Sequence, residues 1–123
     1  MMSETARRPD VVLVGAGTLL GKDLRRELAE RRFPLRDITM MATGGTPDDQ
    51  GQIVEYAGEP RLVNELDEDL ISRADLLFLA APGPGARQAL AALRRGRGVA
   101  VDLVDVDPAP GDPVVHMLSL IHI

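Results

Sequence analysis

The chain has 123 residues, 45% of them hydrophobic, and a formal net charge of −5 from 14 basic and 19 acidic side chains, which suits one globular domain or part of one. It has no cysteine, which excludes disulfides, thiolate metal sites and a cysteine nucleophile within this polypeptide. Its acidic balance, and aromatic rings limited to Phe33, Tyr56 and Phe78, argue against a nucleic-acid surface. No apolar run approaches the roughly 18 residues of a membrane span. Met1 to Pro9 has no signal-peptide core, so a cytoplasmic protein without membrane or nucleic-acid partners is expected.

Residues 1–9 (MMSETARRP) lack periodicity and read as a frayed arm. Asp10 to Gly21 (DVVLVGAGTLLG) is the stretch on which the reading turns. Val11, Val12, Leu13 and Val14 form the apolar, β-branched-rich run of a central parallel strand buried on both faces. Gly15 and Gly17 then allow a tight turn and close approach to a phosphate, and Gly21 allows the following helix to lie close to its strand. That helix points its first amides and the positive end of its dipole at the turn. The spacing Gly15-x-Gly17-x-x-x-Gly21 is one residue longer than G-x-G-x-x-G, and a strand-to-helix turn that binds nothing is the competing interpretation.

An amphipathic helix is expected from about Thr18 to Arg31, with Leu20, Leu24 and Leu28 on its packing face, Pro34 closing it and Phe33 tucked under its end. Ile38 to Ala42 reads as the next strand, completing a right-handed parallel unit. At the end of such a strand an acid holds the adenosine ribose or an arginine meets a 2′-phosphate. Thr43, Gly44, Gly45 and Thr46 stand there, with Asp48 and Asp49 slightly beyond. Ile53 to Tyr56 and Leu62-Val63 suggest two extended pieces joined at Gly58-Glu59-Pro60. Asn64 or Asp67 would cap a short helix whose buried side is Leu66, Leu70 and Ile71, and the acids around it read as a solvated face rather than a metal site.

Leu76 to Ala81, Pro82-Gly83-Pro84-Gly85 and Ala86 to Arg95 repeat the strand, glycine turn and helix, with Ala86, Ala89, Leu90 and Leu93 inward. Arg94, Arg95 and Arg97 complement the helix dipole. Gly98 to Val104 is a third buried-type strand, where Asp102 either meets a ligand or caps the next turn. The proline-rich stretch from Asp105 reads as a connection, and Leu118 to Ile123 (LSLIHI) as a non-native tail. No catalytic or metal-binding role falls to His116 or His122. The fold class is α/β, a Rossmann-like doubly wound, mostly parallel sheet over residues 10–117.

Taken together, VGAGTLLGKDLRRELAERRFPLRDI, LLFLAAPGPGARQAL and GVAVDLVDVDP resemble the amino-terminal NAD(P)-binding domain of the aspartate-semialdehyde dehydrogenase family over about Asp10 to Met117. Arg32-Phe33-Pro34-Leu35 is the most telling local match. The family's G-x-x-G-x-x-G falls on Gly15, Thr18 and Gly21, with Thr18 in place of the middle glycine, where it would cap the helix or donate to a phosphate. The family's S-x-R-S, whose arginine meets the NADP 2′-phosphate, falls on Thr43 to Thr46, where no arginine stands. Its S-A-G-G turn near the nicotinamide falls on Ala80 to Gly83, and its D-N-S-S on Asp102 to Asp105, of which Asp102 alone matches.

The resemblance implies a cofactor site at Gly15, Ala16, Gly17, Thr18, Leu19, Leu20, Thr43, Ala81, Pro82 and Gly83, with NADP the expected dinucleotide and NAD the other choice. It also implies a homodimeric, two-domain oxidoreductase that reduces aspartyl phosphate with NADPH through a cysteine thioester, a histidine serving as acid or base. The cysteine lies in the family's second domain, so this chain alone would be inactive. Two alternatives are a non-catalytic homologue kept for interaction or assembly, and a Rossmann-type binder of another adenosine compound.

Overall fold

The computed structural model describes residues 8–43, 51–104 and 114–116. The arm through residue 7, the Gly44 to Thr46 loop with Asp48 and Asp49, and the tail from Leu118 lie outside the described residues. Ten elements follow one another: β1 (Asp10–Val14), α1 (Leu19–Glu30), β2 (Asp37–Met41), β3 (Ile53–Tyr56), β4 (Glu59–Asn64), α2 (Glu68–Arg73), β5 (Leu76–Leu79), α3 (Pro84–Leu93), β6 (Val99–Asp102) and β7 (Val114–His116). The strands form one sheet in the order β3-β4-β2-β1-β5-β6-β7. Every pairing is parallel except β3 with β4.

β1 is central because both its faces are covered. Val11 and Leu13 pack with Leu24 and Leu28 of α1, while Val12 and Val14 pack with Ile71 of α2 and Ala86, Ala89, Leu90 and Leu93 of α3. Adjacent residues thus enter different cores, as the two-residue strand period requires. The same division separates Met40 from Met41 and Leu77 from Phe78. This is the expected doubly wound α/β arrangement, and it explains why the central strands carry no polar alternation.

Helix α1 starts at Thr18, whose hydroxyl accepts from the Gly21 amide, and buries Gly21, Leu24 and Leu28. Leu20, expected on the packing face, is 36% exposed and Leu19 76%, because the buried face of α1 begins only at Gly21 and continues through Leu24 and Leu28. The helix ends in a Schellman arrangement: the Phe33 amide donates to Leu28 O (3.0 Å) and the Arg32 amide to Ala29 O (3.1 Å). Arg32 therefore adopts a left-handed φ of 51° without being glycine. Phe33 packs against the α1-side core, as expected.

The hairpin turns at Ala57 (φ 53°) and Gly58 (φ 84°), a two-residue loop in which both residues are left-handed, with Tyr56 opposite Glu59. Glu59 and Pro60 belong to β4 rather than to the turn, and Pro60 lies outside Val63 and Asn64, where β4 pairs with β2. Asp67 caps α2 through Leu70 N, and Ile71 is buried, but Leu70 is as exposed as Leu20: a two-turn helix offers the sheet a single ridge. At the amino ends of β1 and β2, Arg36 makes a two-point contact with Asp10, and Asp75 accepts from the Asp10 amide at 2.8 Å. Strand β7, in a stretch read as a connection, pairs residue for residue with β6 from Ala100 to Asp102.

Candidate nucleotide-binding crevice

The chain leaves β1 for β2 on one side and returns to β5 on the other, so the sheet reverses its winding between β1 and β5. Open α/β sheets bind ligands in the crevice outside the carboxyl ends at this point. Two turns form it here, Gly15 to Thr18 after β1 and Ala80 to Gly83 after β5.

The first turn is fixed from below. The Gly15 and Ala16 amides donate to Met41 O at 2.9 and 3.3 Å, the Thr18 amide donates to Gly15 O at 3.1 Å, and the Gly21 amide reaches the Thr18 hydroxyl at 3.0 Å. Among the described residues this leaves the Gly17, Leu19 and Leu20 amides at the helix start without an intramolecular acceptor. Gly15 has φ +87°, and a Cβ there would sit 2.8 Å from Ala81 Cβ and 3.0 Å from Ala81 N. Only glycine meets both demands. At Gly21 an added Cβ would collide with the Gly15 carbonyl, so α1 begins directly against the turn it caps.

The second turn runs into α3, whose cap Gly83 (φ 110°) supplies no side-chain acceptor and whose first residue is Pro84. Neither α1 nor α3 has an acid in its first turn, so the positive ends of both dipoles are uncompensated by carboxylates. Gly85 lies so close to the Thr43 carbonyl that no side chain fits between them, which joins the end of β2 to the start of α3.

Of the expected site residues, Gly15, Ala16, Thr18, Ala81 and Gly83 come together around these turns. Ala16 is buried with its amide engaged by Met41, Gly17, Pro82 and Gly83 are exposed, and Thr43 is nearly buried beneath Gly85. The Thr18 hydroxyl donates to Gly15 O (2.8 Å) or Ala80 O (3.1 Å). Its one proton is thus engaged by carbonyls, so of the two expected uses, capping is the one seen. Asp102, 2% exposed, accepts from Val104 N at 2.9 Å and so closes the turn after β6. The carbonyls of Met41 and Ala80 and the close approach at Gly85 are not visible in the sequence, since backbone acceptors leave no signal in residue type.

Other concavities lie elsewhere. One of about 270 Å³ at the amino ends of β1 and β2 is lined by Asp10, Arg36 and Asp37, and the Asp10–Arg36 pair neutralises its own charge. Among the described residues, no group of three or more His, Asp or Glu side chains is placed to hold a metal ion. Nor, among the same residues, is any helix long and apolar enough to cross a membrane.

No protein-family model matches the chain. It is 27% identical over 92 residues to the aspartate-semialdehyde dehydrogenase of Synechocystis sp., covering 75% of this chain and 26% of that protein. The structure of a probable aspartate-semialdehyde dehydrogenase from Pseudomonas aeruginosa superposes with a TM-score of 0.70 at 27% identity, over 89% of this chain and 32% of that one. RSP, a Rex-family repressor solved in complex with β-NADH, shares the fold with a TM-score of 0.61 at 19% identity, over 92% of this chain and 56% of that one. The chain thus spans about a quarter to a third of the length of the dehydrogenases it matches, and it is similar to their amino-terminal part.

Proposed function

We propose, from its likeness to the amino-terminal part of aspartate-semialdehyde dehydrogenases, that this chain is the nicotinamide-dinucleotide-binding portion of an oxidoreductase of that kind. The observation that carries the proposal is the crevice between β1 and β5. Two acid-free helix starts meet there, Gly15 permits close backbone approach, and the Gly17, Leu19 and Leu20 amides lack internal acceptors among the described residues. Anionic phosphates fit such a place. Gly17, Leu19 and Leu20 would hold a phosphate through their amides, and the turn from Ala81 to Gly83 would flank the ligand's other half. When bound, the dinucleotide supplies or accepts a hydride. The residues of this chain bind and orient it.

NADP is the proposed cofactor by the family likeness, and NAD is its competitor because Thr43 stands where the family's 2′-phosphate motif begins. The reaction proposed for the whole enzyme is NADPH-dependent reduction of aspartyl phosphate. This polypeptide has no cysteine to form the acyl thioester, so alone it would bind without turning over. Calorimetric titration of the full chain with NADPH and with NADH tests the reading. Saturable heat with either supports it, and none with both overturns it. A second reading, a non-catalytic homologue kept for assembly, draws on Thr18 replacing the family glycine, and it gains if neither dinucleotide binds.

A further inference from the structure

We infer that Thr18 is a positioning residue that clamps the two turns of the crevice together, and that it is not itself a phosphate ligand. The inference about ligand binding rests on the dinucleotide reading; the clamp does not. The Thr18 Oγ1 lies 2.8 Å from Gly15 O, 3.1 Å from Ala80 O and 3.0 Å from Gly21 N. A hydroxyl has one proton and two lone pairs. One lone pair receives the Gly21 amide, and the single proton is shared between the carbonyls of Gly15 and Ala80, on two different turns, Ala80 being 62 residues from Thr18 in sequence. An independent contact closes the same seam: at Gly15 the backbone approaches Ala81 so closely that a Cβ would stand 2.8 Å from the alanine's own. Ala80 is also tied to the end of β1 through its amide to Val14 O at 2.9 Å.

The hydroxyl therefore occupies the floor of the crevice and fixes the distance between its walls. It withdraws the Gly21 amide from any ligand and leaves the Gly17, Leu19 and Leu20 amides to meet an anion. A simple helix cap would affect the start of α1 alone. A clamp also affects the Ala80 to Gly83 turn.

The test compares the full-length chain with Thr18→Val, which keeps the branched shape without the hydrogen bonds, and Thr18→Ser, which keeps the hydroxyl. Residue-resolved amide exchange is measured without ligand, and dissociation constants for NADH and NADPH by titration. In Thr18→Val, exchange should speed up by about tenfold at Gly21, as loss of an N-cap implies, and by a similar factor at Ala80, the amide of the second turn that is held by Val14 O. Thr18→Ser should restore the slower rates at both turns. Acceleration confined to Gly21 and Lys22 overturns the clamp, whether or not any dinucleotide binds. Where the wild-type chain binds a dinucleotide, Thr18→Val should weaken it about fivefold or more while Thr18→Ser does not, and unchanged affinity in Thr18→Val overturns the positioning role. A wild-type chain that binds neither dinucleotide overturns the cofactor reading alone, since the exchange result still decides the clamp.

Discussion

Replacing Gly15 by alanine separates the two reasons a glycine is needed there. An L-residue at φ +87° costs about 1–2 kcal/mol in backbone conformation. The new Cβ would also lie 2.8 Å from Ala81 Cβ, well inside the roughly 3.5–4.0 Å of a comfortable carbon contact. Relieving that overlap costs about 1–3 kcal/mol more. The total, about 2–5 kcal/mol, is a large share of a typical domain's stability. Gly58 supplies the control, since its φ of +84° is nearly the same but a Cβ there meets nothing within 4 Å. Gly58→Ala should therefore show only the conformational cost. Urea unfolding of both variants, with midpoints and m-values, measures the difference, and Ala81→Gly in the Gly15→Ala background should recover part of the steric share as a positive coupling. If Gly15→Ala costs no more than Gly58→Ala, or Ala81→Gly recovers nothing, the two turns are not in the contact described.

Other outcomes follow from the same geometry. Arg32→Gly should stabilise the chain by about 1 kcal/mol in thermal or urea unfolding, because it relieves a left-handed φ of 51° at an exposed Schellman position. Ile71→Ala should destabilise by about 2–5 kcal/mol and raise exchange in α2 first, since Ile71 is that helix's one fully buried side chain. Burial raises the Tyr56 phenol above its ordinary value of 10.0, against a smaller opposing effect from Arg61. The unfolded chain then loses this proton first, so the stability it contributes is present below about pH 10 and declines above it. Tyr56→Phe should lack that part of the alkaline loss in urea midpoints measured from pH 8 to 11.

The parts visible in the residues are those governed by period and punctuation. Val11 to Val14 and Leu76 to Leu79 announced buried parallel strands because both faces of each are covered, so no polar alternation survives to confuse them. Leu20 and Leu70 fit their helical stripes, yet a stripe says which way a side chain points and not whether the sheet extends far enough to meet it. The hairpin is legible, but its turn reads too late in the sequence, because Gly58 and Pro60 are stronger turn signals than Ala57, which is held at positive φ by the pairing of its flanking strands. Strand β7 is not legible in the sequence because three residues carry no period and their place depends on β6. In the crevice, the glycines were evident. The bond from Thr18 to Ala80 was not, since nothing in either residue's type reveals a partner 62 positions away.

The crevice presents main-chain amides at Gly17, Leu19 and Leu20, and these belong to every non-proline residue. A lineage can therefore exchange the side chains at these positions, as the solvent-facing Leu19 invites, without removing those donors. Mutational drift would erode the recognisable motif sooner than the main-chain donors beneath it. What drift cannot touch is the absence of a side chain at Gly15, Gly21 and Gly85, where the spacing of entire secondary-structure elements depends on a missing carbon. Evolutionary tolerance in this chain should accordingly be greatest where a position contributes only its main-chain amide and least where one element's backbone packs directly on another's.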